Sequence, residues 1–167
     1  MKRTFEKEYG AGKVLHDWWK GLDGDRASRA ILCRAHDITA VTLTAPYQRI
    51  YRQLCDAGWS DRRRDDALAT VIGLLAHVKE HDDGTPLATS MGQRVDGRDR
   101  PCVSELRFRR LLDAPDVEAL FGGLRRALPL MNHRIDVLEL ANDVVEWGDQ
   151  VKKNWAYSYD WPTKSND

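Results

Sequence analysis

The chain has 167 residues, with 26 basic and 26 acidic side chains and a formal net charge of +0; 42% of its residues are hydrophobic and 31% charged. That length suits one domain or two small helical lobes sharing an interface. A neutral total argues against a protein that gathers polyanions by bulk charge, but not against a local basic stripe, because a ligand feels how charges are arranged.

Helical periodicity recurs along the chain, and strand signals are almost absent. Leu15, Trp18, Trp19 and Leu22 fall at i, i+3, i+4 and i+7, which predicts a first helix ending near Gly24. Asp25 is placed to cap a second helix through Ala27, Ala30, Ile31 and Ala35. The β-branched run at 38–44 opens toward Pro46 and reads as a helix end or connection. Tyr47, Ile50, Tyr51 and Leu54 stripe a third helix that begins at Pro46 and stops near Gly58. Leu68, Val71, Ile72 and Leu75 stripe a fourth, with Asp65 and Asp66 at its positive end.

From His81 to Pro101 no period is sustained, which predicts a segment linking two lobes. Ser104 is placed to cap the next helix, with Phe108, Leu111 and Leu112 facing inward. Another starts around Asp113 and Pro115 and buries Val117, Leu120, Phe121, Leu124 and Leu128. Gly122-Gly123 interrupts it at about 1 kcal/mol each relative to Ala, so a neighbour should pack closely there. Val137, Leu140, Ala141, Val144, Gly148, Val151 and Trp155 share one face, which predicts a single last helix of about five turns. The expected class is all-α, a two-lobed bundle of about seven to nine helices, with lobes at 1–80 and 104–167 joined by a connecting loop at 81–103.

Three widely spaced cysteines, Cys33, Cys55 and Cys102, read as reduced, buried thiols of a cytoplasmic protein. No run of eighteen apolar residues exists to span a membrane, and the charged N-terminal segment lacks a signal-peptide core. Catalytic patterns are poor. His-Asp occurs at His16-Asp17, His36-Asp37 and His81-Asp82, and His77 and His81 stand four apart, a spacing two metal ligands could use on a helix. Solvated histidines near helix ends account for the same pattern, so no catalytic or metal-binding residue and no cofactor is expected. A phosphate-binding P-loop and a nucleophile elbow are both missing.

The 18 arginines outnumber the 8 lysines. A guanidinium presents a planar, always-charged fork to phosphate oxygens, although GC-rich coding would produce the same bias. Arg125 lies beside one apolar stripe and Arg126 opposite it, Arg107, Arg109 and Arg110 surround Phe108, and Lys152 and Lys153 project near Trp155 and Tyr157. Basic side chains one or two helical turns apart are able to follow a phosphate chain.

A longer pattern sharpens this. Ser104-Glu105-Leu106-Arg107-Phe108-Arg109-Arg110-Leu111-Leu112, then Leu124-Arg125-Arg126-Ala127-Leu128, Leu140-Ala141-Asn142-Asp143, Trp147 and Trp155-Ala156-Tyr157-Ser158-Tyr159 resemble the CasB family. Trp18-Trp19, Arg26-Ala27, Leu32-Cys33-Arg34-Ala35, Trp59, Leu74-Leu75-Ala76 and Ser90-Met91-Gly92 extend the likeness upstream. That family is the small subunit of the type I-E CRISPR effector complex, Cascade.

The resemblance implies an all-helical, non-catalytic subunit, two copies of which lie head to tail. Its partners would be CasA, CasC, CasD and CasE, the guide RNA, and the target and non-target DNA strands, the last stabilised as the displaced strand of an R-loop. The family's basic positions match Arg34, Arg49, Arg107, Arg125, Arg126 and Lys152. Cys33 stands where the family often has the first of two paired arginines, and Arg29 or Arg26 is placed to compensate from the preceding turn. Trp147 and Trp155 could serve as base-stacking platforms, but core or interface packing is the stronger expectation for both. The rivals are a metal-dependent phosphohydrolase built on the His-Asp dipeptides and an adaptor that touches only protein.

Overall fold

Short polar residues open most of the helices. In the computed structural model, which describes residues 3–95 and 97–163, side-chain oxygens accept first-turn backbone N–H groups at six helix starts. Asp25 caps α2 (Arg26–Arg34), Asp37 caps α3 (Ile38–Thr42) and Thr44 caps α4 (Ala45–Asp56). Ser104 caps α7 (Glu105–Leu112), Asp116 caps α8 (Val117–Ala127) and Asp136 caps α9 (Val137–Val145). Before them runs α1 (Gly10–Gly21), and α5 (Asp65–Leu75), α6 (Leu87–Gly92) and α10 (Asp149–Ser158) complete the set. Two parallel two-residue strands, β1 (Glu80–His81) and β2 (Arg134–Ile135), tie the middle of the chain to the turn before α9.

The molecule is all-helical apart from that strand pair, as expected. The ten helices among the described residues exceed seven to nine for three reasons. The β-branched run at 38–44 forms its own short helix, α3. The segment at 81–103 contains α6, whose Leu87, Ala88 and Met91 are buried although six residues are too few to display a period. The long last helix is two helices. The chain leaves helical form at 146–148, and the Trp147 indole turns to donate to the Ala114 carbonyl at 2.9 Å. Val144, Gly148 and Val151 keep helical spacing across the break, so the pattern conceals it.

At the centre is α5, in which every residue from Ala67 to Leu75 is buried. A helix apolar on all sides must be covered on all sides, and α2, α3, α8 and α9 surround it. Its one internal hydroxyl, on Thr70, donates back to the Asp66 carbonyl at 2.9 Å. Gly73 marks a close crossing of α5 with its neighbours: a Cβ there would lie 2.8 Å from both Phe121 and Val41. The buried side chains form one continuous cluster that takes in both halves of the chain. Phe108 is stacked on Tyr159 at 3.9 Å between centroids, with Trp155 and Trp161 around it.

The cysteines depart from the expectation of burial: Cys55 is exposed, and Cys33 and Cys102 are half-buried. Desolvation still raises the pKa of both half-buried thiols, which keeps them in the poorly nucleophilic protonated form. No helix among the described residues is long and apolar enough to cross a membrane.

Candidate nucleic-acid interface

The structure sorts the basic side chains into two groups. Arg3, Lys7, Lys13, Arg29, Arg64, Arg94 and Arg134 each pair with a nearby carboxylate. Among the described residues, Arg34, Arg49, Arg107, Arg110, Arg125, Arg126 and Lys152 form no such pair, nor do Arg26, Arg52, Arg62 and Arg63. This second group includes all six positions expected to meet a phosphate backbone, of which Arg125 is bonded instead to a backbone carbonyl.

Three of these unpaired cations border one cleft. On α7, Phe108 and Leu111 point into the core, which leaves Arg107 and Arg110, three residues apart, exposed on the opposite side. Arg126, in the last turn of α8, is exposed as well. The three line a cleft of ≈ 320 Å³ between the helices, with Asp113 the one carboxylate in its wall. Gly122-Gly123 accounts for the closeness of the helices. A Cβ on Gly123 would stand 2.6 Å from the Leu111 side chain, and one on Gly122 would stand 3.4 Å from the Arg126 guanidinium. The glycine pair lets α7 settle against α8, and Arg126 folds back over the space left open. Three guanidinium groups around a shallow cleft offer paired N–H donors to an anionic oxygen cluster.

Lys152 adjoins this site through Trp147. The indole that bonds Ala114, a cleft-lining residue, lies under the Lys152 ammonium, 5.5 Å from ring centre to nitrogen. That is a cation–π contact, and it leaves the ammonium protons available. Trp155 is buried and donates to the Asp143 carboxylate at 2.8 Å. Both tryptophans therefore have packing and hydrogen-bonding work inside the chain.

Arg125 turns the other way. Its guanidinium donates to the Cys33 carbonyl at 2.9 Å and lies 2.6 Å from His36 Nδ1. Cys33 is in the last turn of α2, where unsatisfied carbonyls concentrate negative charge. Arg125 is thus a staple between α8 and the end of α2, where Arg34, the residue after Cys33, is exposed. Arg49 lies apart, exposed on α4. Hydrogen bonds from Ser28 hold the Asp25 carboxyl below its usual pKa, and the Arg49 charge adds to the effect. Asp25 is at the opposite end of α2 from Arg34, about 13 Å along the helix.

The structure therefore brings Arg107 and Arg126 together, sets Lys152 beside them, and leaves Arg49 separate. Arg110 completes the cleft and was not among the expected positions; its spacing from Arg107 was the available signal.

The His-Asp dipeptides are dispersed into unrelated tasks. Asp17 pairs with Lys13, His36 meets Arg125, Asp37 caps α3, and Asp82 pairs with Arg134. His77 and His81 do not share a helical face, because α5 ends at Leu75. His81, Asp83 and Asp136 do converge within 4.8 Å. His81 Nδ1, however, accepts the Val137 N–H at 3.1 Å, which puts the ring proton on Nε2, facing Asp83 at 3.1 Å. The Asp136 carboxylate accepts three backbone N–H groups, from Gly84, Leu138 and Glu139. Each of these groups already has its own partners, and a cation would have to displace a proton and compete with a helix cap.

Comparison with known proteins places this geometry in context. The family model described as CRISPR-associated protein Cse2 matches residues 28–159. A chain in the crystal structure of E. coli Cascade bound to a PAM-containing dsDNA target superposes with a TM-score of 0.66 at 20% identity, covering 88% of this chain and 92% of that one. CasB from Thermus thermophilus superposes with a TM-score of 0.68 at 23% identity, covering 90% of this chain and 97% of that one. No curated protein matches the sequence.

Proposed function

Because the chain belongs to the CRISPR-associated Cse2 family, the CasB family of the sequence comparison above, we propose that it is a non-catalytic small subunit of a type I-E Cascade complex. In this reading two copies lie head to tail, with residues 1–80 and 104–167 as the lobes of each. Neighbouring subunits CasA, CasC, CasD and CasE and the guide RNA complete the assembly. The chain holds the backbone of the displaced DNA strand in the cytoplasm without reading its sequence.

The observation that carries the reading is the α7–α8 cleft, where Arg107, Arg110 and Arg126 stand without carboxylate partners. Lys152 extends the basic surface beside it through Trp147, and Arg34 would meet the backbone at the end of α2. Exchanging a DNA duplex for a guide–target duplex is nearly balanced in free energy. A few phosphate contacts to the displaced strand are then enough to tip it, and each is a charge-assisted bond. Arg125 supports the surface as a structural staple in addition to any contact it makes. Arg49 would meet nucleic acid at a separate point.

The test is reconstitution of the complex with guide RNA and a target duplex. An Arg107→Ala/Arg110→Ala/Arg126→Ala subunit is expected to assemble in normal amount, because none of the three is buried. Its R-loops should collapse at least tenfold faster, with the displaced strand more reactive to permanganate. An unchanged R-loop lifetime with normal assembly would instead support the protein-only adaptor.

A further inference from the structure

A second cleft, of ≈ 650 Å³, shares no lining residue with the arginine cleft. It lies between the N-terminal arm, α6, α9 and α10. Its volume is in the range of sites that engulf a small ligand or a few residues of a peptide. Leu87, Val151 and Trp155 supply an apolar wall. The charged lining is one-sided: Glu139, Asp143 and Glu146 against Arg3 alone.

The partners of these groups single out Asp143. Glu139 is bonded by Arg3 at 2.9 Å, and Glu146 is paired with Arg64. Asp143 accepts only the Trp155 indole N–H, at 2.8 Å, and has no ion-pair partner among the described residues although the Arg3 charge reaches it.

We propose that this cleft docks a segment of a partner protein that presents an arginine or lysine side chain beside an apolar one. A carboxylate held in a half-buried wall gains most from an incoming cation, because the low local dielectric strengthens the bond formed. The apolar neighbour would rest on the exposed Pro86 at the rim, above the buried Leu87 and Val151. The same excess of carboxylates repels phosphate, so the occupant is protein and not a nucleic-acid backbone. Burial raises the Asp143 pKa to about 6, in keeping with a carboxylate short of a counter-charge. The inference is independent of the proposed role at the arginine cleft.

The test titrates the full chain at pH 7.5 with N-acetyl-leucyl-arginine amide and with its leucyl-glutamate counterpart. The readout is the indole N–H resonance of Trp155, identified by its loss in Trp155→Phe. The arginine peptide should shift this resonance saturably and bind at least tenfold more tightly than the glutamate peptide. Asp143→Asn, which keeps an acceptor for the indole, should weaken it at least tenfold. So should Asn154→Arg, which would place a cation of the chain's own in the cleft. A missing shift, equal affinity for the two peptides, or unaltered binding by Asp143→Asn would overturn the proposal.

Discussion

Gly12→Ala is expected to destabilise the protein by about 3–5 kcal/mol, the scale of an overpacked site combined with the loss of a buried Phe from its seat. Gly12 is buried within α1, and a Cβ built on it would fall inside the Glu6 backbone, which has no flexible end to move aside. Relief requires lifting the arm that precedes α1. That arm is anchored by Phe5, which stacks on Trp59 at 6.0 Å between centroids, and whose N–H and C=O are both bonded by the Asn142 amide at 2.9 and 3.0 Å. Displacing the arm would expose Phe5 and leave the buried Asn142 Oδ1 without its donor, while Nδ2 keeps the Leu138 carbonyl. Gly21→Ala in the same helix has open space around it and should be neutral or slightly stabilising. Urea denaturation of the two variants beside the parent checks this; similar midpoints for both would refute the steric account.

The second large effect is a pair of opposing titrations. Burial raises the Asp143 pKa to about 6, so folding favours its protonated form. Its contribution to stability is full below the ordinary carboxylate range and is lost as pH rises through about 6. Burial lowers the His77 pKa to about 4, helped by the Arg125 and His133 charges, so folding favours neutral imidazole. That contribution is full above pH ~6.5 and is lost as pH falls toward 4. His16, whose pKa is lowered chiefly by burial, acts in the same sense as His77. Asp143 corresponds to about 2–3 kcal/mol, and the less buried His77 to about 1–2 kcal/mol after allowance for solvent screening. The two largely offset each other between pH 4 and 6.5. Asp143→Asn is therefore expected to gain about 2 kcal/mol of stability at pH 7 and to lose stability steeply on acidification. His77→Gln should become more stable on acidification than the parent. Denaturation midpoints measured from pH 4 to 7 read both slopes; parallel profiles in all three proteins would contradict the assignment.

Features set by neighbouring residues were legible in the sequence. Asp25 and Ser104 cap the helices they were expected to cap, and the first, third and fourth apolar stripes face the core. In α2, by contrast, the buried residues are Ser28 and Leu32, and the expected Ala27 and Ile31 are exposed. The central position of α5 was legible only in part, since a four-residue stripe does not reveal that the whole circumference is covered. The break between α9 and α10 was hidden because the apolar spacing continues across it. At the candidate site, sequence placed Arg107 and Arg126 on exposed faces. That these faces meet depends on Gly123 admitting Leu111, a contact between two helices. Arg125 shows the converse: nothing near it in sequence signals that its guanidinium reaches back to the Cys33 carbonyl.

The salt dependence of single-stranded DNA binding tests the proposed basic track most directly. Each phosphate contact contributes a log–log slope of about −0.7 through counterion release. Removing Arg107, Arg110 and Arg126 together should make the slope shallower by about 2, equally for strands of different sequence. Identical slopes for the variant and the parent would contradict the account.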